Sequence, residues 1–99
     1  MIFKYILSPF AELDLDTIHD WYSLHNDTVF GKFDKAFGDG LKLIASSPYQ
    51  YPIIHKNIRR AVLKKFPYSI FYRITDERVI VLSVIHHKRS PRVWKKRKG

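Results

Sequence analysis

The first half of the chain carries apolar residues at helical spacing after one short alternating run. Residues 2–7 alternate as a β-strand does, with apolar residues on both faces, which favours a position inside a sheet. Ser8 and Pro9 form a typical helix start, because the hydroxyl caps and proline suits the first helical position. The first helix then shows an apolar stripe of Ala11, Leu15, Ile18 and Tyr22 and is expected to end near His25.

A second helix is predicted to follow almost directly. Its apolar positions step by three and four, as Phe30, Phe33, Phe37, Leu41 and Ile44. Ser47 and Pro48 end this pattern. Because few residues separate the two helices, we expect an antiparallel helical hairpin.

The second half of the chain changes to strand-like alternation. Residues 47–57 are predicted to be a loop, and residues 58–65, 68–75 and 79–85 are predicted to be strands, the last of them interior because it is the most apolar. The order β-α-α-β-β-β predicts one α+β domain over residues 1–99. Its helical hairpin should pack on one face of a curved, mainly antiparallel four-stranded sheet. Residues 89–99 are expected to be a basic tail.

The charge is divided unevenly between the halves. Lys and Arg number 18 against 9 Asp and Glu, a net charge of +9. Residues 1–50 carry a net charge of −3, whereas residues 51–99 carry +12. Such a field favours a polyanionic partner, namely nucleic acid, the ribosome or an acidic protein. A merely solvated basic surface is the alternative.

Several function classes are excluded. The absence of cysteine removes disulfide scaffolds, thiol catalysis and cysteine zinc sites. The phosphate-binding glycine loop and the GxSxG motif are both missing. His86 and His87 are adjacent, so on a strand they point to opposite faces and do not form a metal pair. We therefore expect no metal and no cofactor. Apolar runs are too short for a membrane span and the N-terminus lacks a charged leader, so a cytoplasmic protein is expected.

The candidate site consists of the cations, histidines and one tryptophan of the second half. These types suit polyanions, because Arg and Lys contact phosphates, Trp stacks on bases and His transfers protons. They fit a metal-free ribonuclease and a binding groove equally well, and spacing does not separate the two. The candidates are Arg59, Arg60, Lys64, Lys65, Arg73, His86, His87, Lys88, Arg89, Arg92 and Trp94.

Some of these features also have purely structural explanations. Arg73 can serve as an ion-pair partner of Asp76 or Glu77. Trp94 can cap the edge of the core. The acidic residues Glu12, Asp14, Asp16 and Asp20 are explained by the positive end of the first helix rather than by catalysis.

The chain resembles the RelE/ParE superfamily of bacterial toxins from type II toxin–antitoxin modules over nearly its whole length. The resemblance rests on the helix start at residues 8–18, Ser47-Pro48, Ile58-Arg59-Arg60, residues 66–74 and 79–84, and His86-x-x-Arg89-x-Pro91-x-x-Trp94-x-x-Arg97. It implies the fold expected above, growth inhibition, and a hetero-oligomer with a cognate antitoxin that folds an often acidic segment onto the toxin.

The resemblance leaves two molecular activities open. RelE-like members cut mRNA in the ribosome, whereas ParE-like members inhibit DNA gyrase without chemistry of their own. Ser69 stands where RelE-type enzymes carry an arginine, and Trp94 replaces their C-terminal tyrosine. We therefore predict a ParE-like toxin acting on gyrase. The alternative is a ribosome-dependent mRNA endonuclease that uses Arg60, Lys64, His87 and Arg89. A member that only binds its antitoxin is a third hypothesis.

Overall fold

A computed structural model describes residues 2–25 and 27–88 of the chain. The elements follow in the order β1 (Lys4–Leu7), α1 (Pro9–His25), α2 (Asp27–Ser46), a short 3-10 helix (Pro48–Gln50), β2 (Ile53–His55), β3 (Ile58–Val62), β4 (Tyr68–Thr75) and β5 (Arg78–His86). This order confirms the predicted α+β class, in which two consecutive helices lie between the first strand and the remaining ones. Neither described helix combines the length and the apolarity needed to cross a bilayer.

The helical hairpin begins and ends where the sequence predicts. The Ala11 N–H donates to the Ser8 hydroxyl at 3.1 Å, so Ser8 caps α1. The Ser8 hydroxyl itself donates to the Leu82 carbonyl at 3.1 Å and ties the helix start to β5. The two helices contact each other at His19, whose Nε2 atom bonds the Asp34 carboxylate at 2.5 Å.

The sheet has five strands rather than the four that were predicted, in the order β1-β5-β4-β3-β2. The additional strand is β2, which lies within the predicted loop. It follows a proline and is only three residues long. A strand of that length is too short for an alternating pattern to be recognised. β1 pairs in parallel with β5, and every other neighbouring pair is antiparallel.

Two strand predictions need correction. β1 was predicted to be an interior strand, but it lies at the edge of the sheet with β5 as its one neighbour. Because of this edge position, its apolar residues Tyr5 and Ile6 are exposed. β3 ends at Val62 rather than at residue 65. The prediction for the last strand is confirmed, since β5 lies between β1 and β4.

Both faces of the central strands are apolar. The helices cover one face, where Phe33, Ile70 and Tyr72 belong to the main core cluster. On the other face, Ile58, Phe71, Leu82 and Ile85 form a second buried cluster. A β-bulge between the Phe71 and Tyr72 pairs adds one residue to β5 there. Because both faces are packed, residues Tyr68 to Tyr72 of β4 are all buried.

One acidic residue of α1 has a structural role that helix electrostatics does not explain. Asp14 is 8% exposed, and its carboxylate accepts a hydrogen bond of 2.9 Å from the Val84 N–H. β5 extends past Val81, its last residue with a partner in β1, so its edge needs another acceptor at Val84. Asp14 supplies that acceptor, and the explanation from the sequence is wrong for this residue.

Candidate functional site

The sheet face opposite the helices carries part of the predicted site, and we call it the open face. The side chains packed on it among residues 2–25 and 27–88 all come from strands. Arg60 pairs with Phe71 of the second cluster, and Arg73 pairs with Ile80, which packs against that cluster. Paired residues share a face, so both arginines lie on the open face. The Arg73 guanidinium donates to the Thr75 hydroxyl at 2.5 Å.

A serine–histidine contact lies at one end of the open face. The Ser69 hydroxyl is 3.0 Å from Nε2 of His87, and Ser69 is only 2% exposed. The His87 N–H also donates to the Pro67 carbonyl at 2.9 Å, which fixes the chain just beyond β5. The exposed imidazole is thereby held in place by a neutral hydroxyl at the position where the resemblance would place a cation.

The two adjacent histidines point to opposite faces, as predicted. The His86 ring meets the Tyr68 ring edge to face, with centroids 5.1 Å apart, on the side of the helices. The Lys88 N–H donates to Nδ1 of His86 at 3.1 Å. His87 therefore faces the open side and His86 does not. Arg89, Arg92 and Trp94 lie outside the described residues.

Arg59 lies on the helix side of the sheet, opposite to Arg60. It pairs with Tyr72, a member of the main core cluster. Its guanidinium donates to the carbonyl oxygens of Tyr49 at 3.1 Å and Tyr51 at 2.6 Å. The same guanidinium sits 5.3 Å from the centre of the Tyr49 ring, a cation–π contact. These contacts anchor the loop after α2, so Arg59 and Arg60 do not act on one surface.

Tyr72 also anchors the loop after α2. Its hydroxyl donates to the Pro48 carbonyl at 2.6 Å, and its side chain is fully buried. Burial raises the pKa of Tyr72 above its ordinary value of 10.0, and the nearby Arg59 opposes that rise only in part. The phenol is therefore held neutral in the folded state.

We expect Tyr72→Phe to lower the free energy of unfolding by about 1–2 kcal/mol, because the buried Pro48 carbonyl loses its donor.

The raised pKa of Tyr72 also predicts that the stability of the protein depends on pH. The buried neutral phenol contributes fully to stability below the ordinary pKa of about 10. Above that pH the free energy of unfolding falls by up to about 1.4 kcal/mol per pH unit, because the unfolded chain loses the phenol proton first. Urea unfolding between pH 8 and pH 11 measures both effects. The fall above pH 10 should be shallower in Tyr72→Phe than in Tyr5→Phe, an exposed control; equal slopes would contradict the assignment.

A second surface lies between α2 and β3, and we call it the basic groove. It has a volume of about 1070 Å³. Its floor is apolar and includes Ala36, Leu43, Val62 and Phe66. A Cβ atom at Gly40 would lie 2.9 Å from Cδ2 of Leu63, so glycine permits the close approach of α2 to the residue that follows β3.

Lysines surround this groove. Lys32, Lys35, Lys42, Lys64 and Lys65 line it together with one carboxylate, Asp39. The Lys35 ammonium donates to Asp39 at 2.9 Å, and this hydrogen bond and charge lower the pKa of the Asp39 carboxyl. Asp39 therefore stays ionised and offsets one of the five lysines. The groove keeps a strong positive field.

The groove separates residues that the sequence analysis had grouped. Lys64 and Lys65 line it, whereas Arg60 and His87 lie on the open face. Of the four residues predicted for an endonuclease, the structure brings Arg60 and His87 to one face and places Lys64 on the other surface. Within residues 2–25 and 27–88, no group of three or more histidine and carboxylate side chains is arranged to hold a metal ion.

Comparison with known proteins identifies the family. Residues 5–91 match the family described as ParE toxin of type II toxin–antitoxin system, parDE. The chain belongs to this ParE toxin family. No individually curated protein matches it significantly.

Two solved structures share the fold of this ParE-family toxin. A chain of the chromosomal ParDE toxin–antitoxin system of P. aeruginosa superposes with a TM-score of 0.76 at 19% identity, covering 86% of this chain and 96% of that one. A chain of the RelBE2 toxin–antitoxin complex of Mycobacterium tuberculosis gives a TM-score of 0.53 at 21% identity, covering 87% and 99%. At these identities the likeness establishes the fold alone.

The sequence of this ParE-family toxin did not predict the basic groove, because three of the groove's lysines belong to the acidic half of the chain. Lys32, Lys35 and Lys42 are spaced by three and seven residues, which places them on one side of α2. That spacing is a signal that could have found them. The net charge of +12 in the second half pointed to the strands instead.

Proposed function

We propose that this type II toxin inhibits growth by binding DNA gyrase through its open face, in the cytoplasm, without catalysing a reaction itself. The observation that carries the proposal is the separation of the described cations. Arg60 and Arg73 lie on the open face, whereas Lys64 lies in the basic groove. A ribonuclease needs its cations and its proton-transfer group around one phosphate. Of the described residues predicted for that role, Lys64 lies on a different surface from Arg60 and His87. Binding needs only a complementary surface.

The Ser69–His87 contact supports the same proposal. Ser69 is a buried neutral group whose hydroxyl is engaged with the imidazole at 3.0 Å. A cation at that position would stabilise the charge that develops on a phosphate during cleavage, and a hydroxyl does this far less well.

We further propose that a cognate antitoxin with an acidic segment neutralises the toxin and forms a hetero-oligomer with it. The two structural neighbours support this, since one is from a ParDE toxin–antitoxin system and the other is a RelBE2 toxin–antitoxin complex. The net charge of +9 supports the acidic character of the segment.

The test follows DNA and protein synthesis separately by pulse labelling during induced expression, together with gyrase supercoiling by the purified toxin. We expect DNA synthesis to stop first and supercoiling to be inhibited at micromolar concentration. Arg60→Glu on the open face should raise the inhibitory concentration about tenfold, because it places a repulsive charge in the contact. Lys56→Glu, in the exposed turn before β3, is the matched control and should not change it.

Two other results would contradict this proposal. If translation stopped within minutes while replication continued, the toxin would cleave mRNA on the ribosome, and Arg60 and His87 would be the described residues to examine. If neither process changed, the protein would only bind its antitoxin.

A further inference from the structure

An apolar stripe runs along an exposed side of α1. Its large side chains are between 46% and 82% exposed, and they belong to Phe10, Leu13, Trp21 and Leu24. Thr17, which is also exposed, lies in the middle of the stripe. At 3.6 residues per turn, these five positions fall within an arc of about 80° on the helix surface. Large apolar side chains that are aligned on a surface, rather than scattered singly, mark a site of interaction.

The stripe is turned away from the other helix and from the core. The buried side of α1 is formed by Ala11, Asp14, Ile18 and Tyr22. The side that faces α2 is marked by His19, which bonds Asp34 there. His19 is two positions from Thr17 and therefore about 200° from it around the helix. The stripe is thus a second apolar side of α1, separate from the one that packs on the sheet.

The spacing of the stripe is symmetric about Thr17. Leu13 and Trp21 are each four residues from Thr17. Phe10 and Leu24 are each seven residues from it. Two α1 helices that run antiparallel and meet at Thr17 therefore place Leu13 of one copy against Trp21 of the second copy. In the same way Phe10 meets Leu24, and each contact occurs twice. A two-fold axis requires this kind of self-complementary contact, so the spacing favours a second copy over an unrelated partner.

The charges of the toxin limit the strength of such a contact. Glu12, Asp16 and Asp20 are exposed on one flank of the stripe, and each copy carries a net charge of +9. Like charges repel one another, both between the flanking carboxylates and between the whole molecules. Dissolved salt screens this repulsion, so the contact should strengthen as salt is added. Contacts between a basic surface and an acidic partner respond in the opposite direction.

We propose that two copies of this chain dimerise through the exposed stripes of α1, antiparallel and with the two-fold axis at Thr17. A single helix pair is smaller than a standard interface, so the dimer is weak, with a Kd on the order of 100 μM. The toxin is therefore a monomer at low micromolar concentration. Because the stripe is turned away from α2, the dimer leaves the open face and the basic groove of both copies uncovered.

Sedimentation equilibrium of the full chain, from about 5 to about 500 μM, measures this dimer directly. We expect the average mass to rise from that of the monomer toward that of the dimer, and the Kd to fall at higher salt. Leu13→Glu should weaken dimerisation at least about tenfold, because it places a carboxylate in the apolar contact. Ser23→Glu is the matched control, since it adds the same charge at an exposed position about 120° from Thr17 on α1. Its Kd should stay within about twofold of the wild type.

Introduced cysteines test the two-fold axis independently. The chain has no cysteine, so each variant carries a single thiol. Thr17→Cys brings the two thiols together at the axis, within the distance that a disulfide spans, and should give a disulfide-linked dimer on mild oxidation. Ser23→Cys lies off the stripe on the same helix and should cross-link at least about tenfold more slowly.

The other outcomes contradict this proposal. If the full chain stays a monomer over the whole concentration range, the stripe binds a different protein and not a second copy. If Leu13→Glu dimerises as the wild type does, or if Ser23→Cys cross-links as fast as Thr17→Cys, self-association uses another surface. Thr17→Cys is a small change at an exposed position, so its result decides the matter even where Leu13→Glu fails to fold. None of these measurements depends on gyrase or on the antitoxin.

Discussion

Phe33→Ala is expected to lower the free energy of unfolding by about 3–5 kcal/mol, the range for deleting a buried aromatic side chain. Phe33 is completely buried in the middle of α2. Its ring lies 5.3 Å from the Tyr68 ring, 5.5 Å from that of Phe66 and 5.8 Å from that of Tyr22, measured between centroids. One side chain thus joins both helices to β4 and to the turn before it.

The effect should be visible in both thermal and urea unfolding. Domains of this size have stabilities of about 5–15 kcal/mol, and each kcal/mol shifts Tm by roughly 4–8 °C. The variant should therefore melt at least about 12 °C below the wild type. Leu24→Ala is the matched control, because Leu24 is an apolar helix residue that is 82% exposed. If the two variants were equally stable, the aromatic cluster would not be the centre of the core.

The second large effect is expected at Asp14. Asp14→Ala removes the acceptor of the Val84 N–H, a hydrogen bond of 2.9 Å to a buried carboxylate. A lost bond to a charged group together with an unsatisfied buried N–H costs about 2–3 kcal/mol. The start of α1 should also detach more easily from β5, since Asp14 and Ser8 both bond that strand.

Two variants test whether this effect comes from the hydrogen bond. Asp14→Asn keeps an acceptor oxygen at the same place and should cost about half as much as alanine. Asp16→Ala, an exposed acidic residue two positions further, should change the stability by less than about 0.5 kcal/mol. Urea unfolding measures all three, and hydrogen exchange at the Val84 amide gives a local reading. Equal effects at positions 14 and 16 would show that only helix electrostatics is involved.

Two positively charged surfaces lie on either side of β3. The open face contains Arg60, and the basic groove contains Lys64 and Lys65.

Local pattern alone determined most of the fold. Ser8, Pro9 and Pro48 marked the helix ends correctly, because capping and the missing N–H of proline act within a few residues. The stripe around Phe33 identified the buried face of α2, since a helix repeats its environment every three to four residues. The class and the hairpin were accessible in this way, whereas the family was indicated by the resemblance of the motifs to known toxins.

Tertiary structure decided what depends on contacts between distant segments. Asp14 and Val84 are far apart in the chain, and nothing near Asp14 shows that a strand edge would need its carboxylate. The short β2 forms because β3 offers an edge, and β1 lies at the margin although its own pattern suits the interior. Strand order and edge pairing are set by packing between segments, so local alternation cannot reveal them.

The division of the cations into two surfaces was decided in the same way. Sequence determined that Arg59 and Arg60 alternate. Only the fold brings the carbonyl oxygens of Tyr49 and Tyr51 to the Arg59 guanidinium and places Arg60 on the other face of the sheet. The basic groove needs Lys32, Lys35 and Lys42 from the acidic half beside Lys64 and Lys65 from the basic half. Net charge is a sum along the chain, whereas the field that a partner meets depends on which charges the fold brings together.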